Sequence, residues 1–155
     1  METDQLLETW DIHQRINLYL LDAVSPEALR DVSASKGRNV GEQFAHVHNV
    51  RLMWLKSAAP ELLGDLIKIE KDAPVDKATL RRSLEGSGRA VRELLARSAA
   101  DGGKVKGFKP HVVAFLGYLV SHESHHRGQI ALTLKQAGHP VEKKILFGLW
   151  EWGVR

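Results

Sequence analysis

The sequence predicts an all-α fold: a four-helix bundle with a short C-terminal helical element, formed by residues 1–155 as one domain. Three observations carry this expectation. Four long segments repeat their apolar residues with a period near 3.6. Each is bounded by proline, glycine or a capping side chain. No segment alternates apolar and polar residues for long enough to build a sheet. Long helices joined by loops, each with one apolar stripe, bury those stripes by packing as a bundle.

The first helix is expected from about Asp4 to Val24. Leu6, Leu7, Trp10, Ile16, Leu20, Leu21 and Val24 line one side, and Ser25-Pro26 ends it. After the loop that holds Lys36-Gly37-Arg38, Asn39 reads as an N-cap, with Glu42 three residues on as a capping-box partner. That second helix reaches about Ala59 and stops at Pro60. Residues 60–75 connect onward, with a short helical turn at Glu61–Leu66. The third helix spans Asp76 to Ala99 on Leu80, Leu84, Val91, Leu94 and Leu95, with Gly86 and Gly88 weakening its middle. Asp101-Gly102-Gly103 breaks the chain. The fourth helix starts near Pro110, suited to a first turn, and runs to Ala137, with Gly138 as its C-cap. The last element, Ile145 to Trp152, is apolar and aromatic enough to pack on the bundle.

Composition narrows the functional classes. The 155 residues are 43% hydrophobic and 26% charged, as in an ordinary globular domain. Cysteine is absent, which excludes disulfides, thiolate nucleophiles and Cys-type zinc sites together, so any metal must use His, Asp or Glu. The acidic start Met1-Glu2-Thr3-Asp4 has neither a basic nor an apolar leader segment, so no secretory signal is expected, and a cysteine-free chain is compatible with a reducing cytoplasm. No run of about 18 apolar residues is present, so no membrane span is expected. The formal charge is +3, basic residues are scattered, and aromatics are 6%, which argues against a nucleic-acid surface.

The chemistry concentrates in His122-Glu123-Ser124-His125-His126-Arg127-Gly128-Gln129-Ile130, where three of the eight histidines fall within five residues. On a helical wheel with His122 at zero, His126 lies at about +40°, Gln129 at about −20°, Tyr118 at about −40°, Phe115 at about +20° and His125 at about −60°. Two imidazoles one turn apart on such a face can grip a divalent transition metal. A 122/125 pair is also possible by spacing. The same residues spell His-Glu-x-x-His, a zinc-protease signature with Glu123 as general base. Its extended form needs Gly at 129 and His at 132, where this chain has Gln129 and Leu132. Glu123, at about 100° on the wheel, is instead expected to be solvated or helix-flanking.

A third ligand has to come from another helix. The second helix offers His46 and His48, which flank its apolar side (Val40, Phe44, Val47, Trp54) in opposite directions, so periodicity does not choose between them. His111 lies about 16 Å along the helix from His122 and cannot share its metal. His13 and His139 have no partner in sequence and read as structural or exposed.

Together, Asn39-Val40-Gly41-Glu42-Gln43-Phe44-Ala45-His46 and His122 through Ile130 resemble the DinB family of metal-binding four-helix-bundle proteins. The resemblance extends over nearly the whole chain, including the terminal Gly148-Leu149-Trp150-Glu151-Trp152. It implies one divalent metal ion per chain, nickel or zinc, held by His46, His122 and His126. Arg127, Gly128 and Gln129 match the family pattern; the glycine would allow close helix contact, and Gln129 and His125 would support the ligands from behind. It also implies a homodimer and a small-molecule substrate, with metal-dependent hydrolysis or transfer of a low-molecular-weight thiol such as bacillithiol or mycothiol as the chemistry, in detoxification or stress. The competing expectation is a non-catalytic, stress-induced metal-binding or dimerising module.

Overall fold

A computed structural model describes residues 3–155. It contains α1 (Thr3–Ala23), α2 (Val40–Ala58), α3 (Lys77–Ala100), α4 (Val112–Gln136) and the short α5 (Lys143–Gly148), with single 3-10 turns at Pro26–Arg30 and Pro60–Leu63. Among the described residues there is no strand, and only Val105 and Phe108 form an isolated bridge. No helix is long and apolar enough to cross a membrane.

The helix starts follow from local chemistry. Asn39 accepts from the Glu42 N–H at 2.7 Å, and Asp76 accepts from the Thr79 N–H at 2.7 Å, each satisfying a donor that the first turn leaves unpaired. One start differs from the sequence expectation. Pro110 lies outside α4, and His111 is the cap, its Nδ1 accepting from the Ala114 N–H at 3.2 Å. The expected weak point of α3 is a packing device. Trp10 Nε1 donates to the Gly88 carbonyl at 2.9 Å, and a Cβ at Gly88 would sit 2.5 Å from the Gln14 amide, so α1 crosses α3 at a closeness that a side chain there would prevent.

Two apolar clusters fill the bundle. One gathers Leu6, Trp10, Leu55, Val91, Leu95, Phe115 and Leu119. The other gathers Leu20, Leu21, Val40, Phe44, Leu80, Leu84, Ile130 and Leu134. The order in which each helix passes through them sets the topology. α1 and α4 run from the first cluster to the second, whereas α2 and α3 run from the second to the first. The bundle is therefore up-down-down-up, with α1 and α2 each packed against both α3 and α4. Because α2 and α3 point the same way, residues 59–76 must travel back along the bundle, about 28 Å for a 19-residue helix.

That return segment is pinned to α2. Asn49 closes a two-bond ring with Ile69, donating to its carbonyl and accepting from its N–H, both at 2.9 Å. His48 Nε2–H donates to the Ile67 carbonyl at 2.8 Å. The C-terminal end packs less than its composition suggests. Ile145 and Leu146 rest on the second cluster, but Phe147 (69% exposed) and Trp150 (77%) face solvent. Arg155 turns back to stack over Tyr19 at 4.1 Å and to donate to the Gly148 carbonyl.

Candidate metal centre

Between the two apolar clusters every long helix contributes a polar residue, and α4 is polar on two sides at this level. One side turns into the core. Glu123 is 1% exposed and Arg51 fully buried. Arg51 grips Glu123 with two bonds, Nε to Oε2 at 2.9 Å and Nη2 to Oε1 at 2.6 Å. Oε1 also accepts from Asn17 Nδ2 at 2.8 Å and from His13 Nε2–H at 3.0 Å. Arg127 then donates to Asn17 Oδ1 at 2.7 Å and to His13 Nδ1 at 3.2 Å. The remaining arm of Arg51 reaches the Leu84 carbonyl, and its guanidinium stacks on Trp10.

Burial alone would raise the Glu123 pKa. The Arg51 charge, then bonds from Arg51 and His13, reverse that and hold the carboxyl far below the usual carboxylate range. Burial lowers His13, keeping it neutral. The expectation that Glu123 is solvated is thus corrected: a wheel gives its direction, but not that Arg51 waits there. Arg51 itself lies between Val47 and Trp54 on the apolar stripe of α2, the one sequence sign of a buried cation. With its carboxylate locked in this pair and turned into the core, the His-Glu-x-x-His spelling carries no general base to the histidines.

The other side of α4 faces α2, and here His46, His122 and His126 converge. One ligand atom from each lies within 4.8 Å of the others. His122 Nε2 and His126 Nε2 are 3.2 Å apart, and the His46 ring stands 5.4 Å from His122 and 4.6 Å from His126 between centroids. Two imidazole nitrogens on one zinc-sized ion, each about 2.0–2.1 Å from it, are separated by about 2.9–3.4 Å for angles from octahedral to tetrahedral, and the observed pair falls in that interval.

The protonation states suit a ligand set. Gln43 Oε1 accepts from His126 Nδ1–H at 2.6 Å, which leaves the lone pair on Nε2, aimed at His122. Burial lowers all three pKa values. For His126, burial is joined by His122, His46, His125 and Arg38, in that order, to bring it to about 4. For His46, Arg38 and then His122 add to burial. For His122, His125 and Arg38 add to it while Glu123 opposes. Neutral imidazoles crowded together, with cationic charge unwelcome on any of them, fit a metal centre well. Tyr118 stacks on His122 at 6.2 Å and joins Trp54, Phe108 and Phe115 in an aromatic wall on the first-cluster side.

Several predicted neighbours fall elsewhere. Gln129 shares the wheel position of His122 but sits two turns on, exposed and without a bond to the three histidines; the amide that bonds to one of them is Gln43. Gln43 precedes His46 by three residues, a spacing that places them on one face and could have flagged it. His125 is exposed and meets His126 only ring to ring at 5.1 Å. Gly128 faces open space, since a Cβ there would meet nothing within 4 Å, so it serves no close helix contact. His48, the alternative to His46, is buried on the return segment and away from the centre. His139 pairs with Asp31 at 2.7 Å.

Fold and site together define a helical-bundle protein with a three-histidine group, drawn from two antiparallel helices, that could hold a metal ion. The model of the DinB family matches residues 1–145, and the chain belongs to that family. No curated protein and no solved structure matches it.

Proposed function

We propose that the protein is a metal-dependent enzyme that holds one divalent ion, nickel or zinc, on His46, His122 and His126. In this reading it uses the ion to activate a nucleophile against a small molecule. The observation that carries this is the convergence of three neutral imidazoles, one of which, His46, lines a cleft of about 740 Å³. A three-histidine set leaves coordination positions for a reactant, unlike a closed structural site. When bound, the ion supplies Lewis-acid activation, drawing a thiol or water toward its anionic form near neutral pH.

Transfer of a low-molecular-weight thiol is the better supported reaction. A free thiol starts from a pKa of about 8.5 and needs little help to ionise, whereas water starts from about 15.7. Glu123, which a protease-like hydrolase would use as base, is committed to Arg51. Hydrolysis is the second reading and rests on Glu42, one helical turn before His46 and lining the same cleft, as the proton acceptor. The non-catalytic alternative requires the cleft beside the ligands to be covered by a partner. A homodimer belongs to the proposal as well; the exposed Phe147, Trp150 and Val154 supply apolar surface for one.

The test is metal analysis of purified wild type and His122→Ala by plasma emission, with a thiol-transferase screen run on metal-loaded and chelated protein. One ion per chain, lost in the variant together with activity, is the expected result. Stoichiometric metal in His122→Ala would end the proposal.

A further inference from the structure

The cleft beside His46 is asymmetric in charge. Three cations line it, Arg38, Lys68 and Lys71, against two carboxylates, Glu42 and Glu70. Lys68 and Glu70 face each other at 3.9 Å and largely cancel. Lys71 and Arg38 make neither an ion pair nor a side-chain hydrogen bond among the described residues, although the chain elsewhere pairs Arg51, Arg81, Arg92 and Arg97 with carboxylates.

Both are exposed, and what distinguishes them is position: they line the cleft that also carries His46. Arg38 immediately precedes the Asn39 cap, so the start of α2 fixes its backbone, and it lies on the same cleft as His46. Lys71 lies on the return segment, two residues beyond Ile69, whose backbone Asn49 holds by both its N–H and its carbonyl. The up-down-down-up topology thus lays the return segment, with Lys71 on it, along the cleft, and Asn49 and His48 keep it there.

We propose that this cleft is an anion subsite. In it Arg38, assisted by Lys71, binds a carboxylate or comparable small oxyanion of the substrate and so holds the rest of that molecule beside His46. The inference deepens the proposed function and rests on it for the word substrate; the subsite itself is defined by the two cations. A planar guanidinium offers two parallel donors to a carboxylate.

The experiment is calorimetric titration of succinate, and separately of inorganic sulfate, into wild type, Arg38→Ala, Arg38→Lys, Lys71→Ala and Arg30→Ala at constant ionic strength. Each is run on zinc-loaded and on metal-free protein. Arg30 is exposed and lies outside the cleft lining, so its variant has the same net charge as Arg38→Ala and reports the effect of overall charge. Arg38→Ala is expected to weaken binding by up to about fivefold, as for loss of an exposed ion pair, with a smaller loss for Lys71→Ala and near-native binding for Arg30→Ala. Arg38→Lys should fall between, and more steeply for succinate than for sulfate, because only the carboxylate is matched by the fork. Succinate or sulfate binding that is equal in Arg38→Ala and wild type overturns the subsite, whether or not metal is held. Arg38-dependent binding in a protein that takes up no metal sustains the subsite and defeats the metal reading instead. Unfolding midpoints of the variants, expected to match wild type, exclude a folding origin.

Discussion

Replacing Glu123 with glutamine removes a charge and almost no volume, and the surroundings of that carboxylate set the cost. It is 1% exposed and accepts four hydrogen bonds, two from Arg51 and one each from Asn17 and His13. An amide in its place turns one acceptor into a donor facing those same donors, and leaves the fully buried Arg51 guanidinium uncompensated. Breaking one partner of such a buried pair costs about 3–5 kcal/mol, out of a total stability of about 5–15 kcal/mol for a domain. For a chain of this length about 1 kcal/mol moves the melting temperature by about 2–4 °C, so the expected drop is about 6–20 °C. Urea and thermal unfolding of the metal-free protein measure it. The pair Arg51→Met with Glu123→Leu should recover most of the loss, because no unpaired charge then remains in the core. An unfolding free energy for Glu123→Gln within about 1 kcal/mol of wild type would refute this account of the core, as it would mean water reaches Arg51.

The same network makes the metal-free protein acid-labile. The unfolded chain takes up protons on His13 near 6.5 and on Glu123 near 4.5, while the folded chain, with both values depressed, resists them. Stability present at pH 7 is therefore lost as pH falls through that window toward the folded values, and urea midpoints at pH 7, 5.5 and 4 should decline in that order; a flat series contradicts it. Gln43→Leu leaves His126 without the acceptor that sets its tautomer and should weaken metal binding by about 10–100-fold in competition with a chromogenic chelator; unchanged affinity would remove Gln43 from that role. Asn39→Ala deletes the α2 cap and should cost about 1 kcal/mol in urea unfolding, with no change indicating that water caps the helix equally well. Asn49→Ala should speed amide exchange at Ile69, whose N–H it accepts, without shifting exchange in α4; protection retained there would show that the return segment is held by other contacts.

Much of the protein can be read directly from its residues. Apolar period, Asn39, Asp76 and the proline and glycine stops decide where helices lie, since those effects act within one or two turns. The one-turn spacing of His122 and His126 is likewise local, so their shared face follows from helix geometry alone. Gln129 shows where that kind of inference ends. A wheel reports angle but not distance along the axis, and two turns were enough to carry Gln129 out to solvent while Gln43, from another helix, took its place.

Chain order alone thus accounts for the set of helices, the histidine pair and, through a family resemblance, the nomination of His46. The relations between helices belong to packing. These include the parallel run of α2 and α3 that sends the return segment past His46, the Arg51 that claims Glu123, and the antiparallel meeting of α2 and α4 that brings three imidazoles together. The difference is one of range. Capping and periodicity are settled by neighbours in the chain, whereas a buried ion pair or the partner of a buried histidine is settled by groups 72 to 83 residues apart, as with Arg51 and Glu123 or Gln43 and His126, which only packing brings within reach.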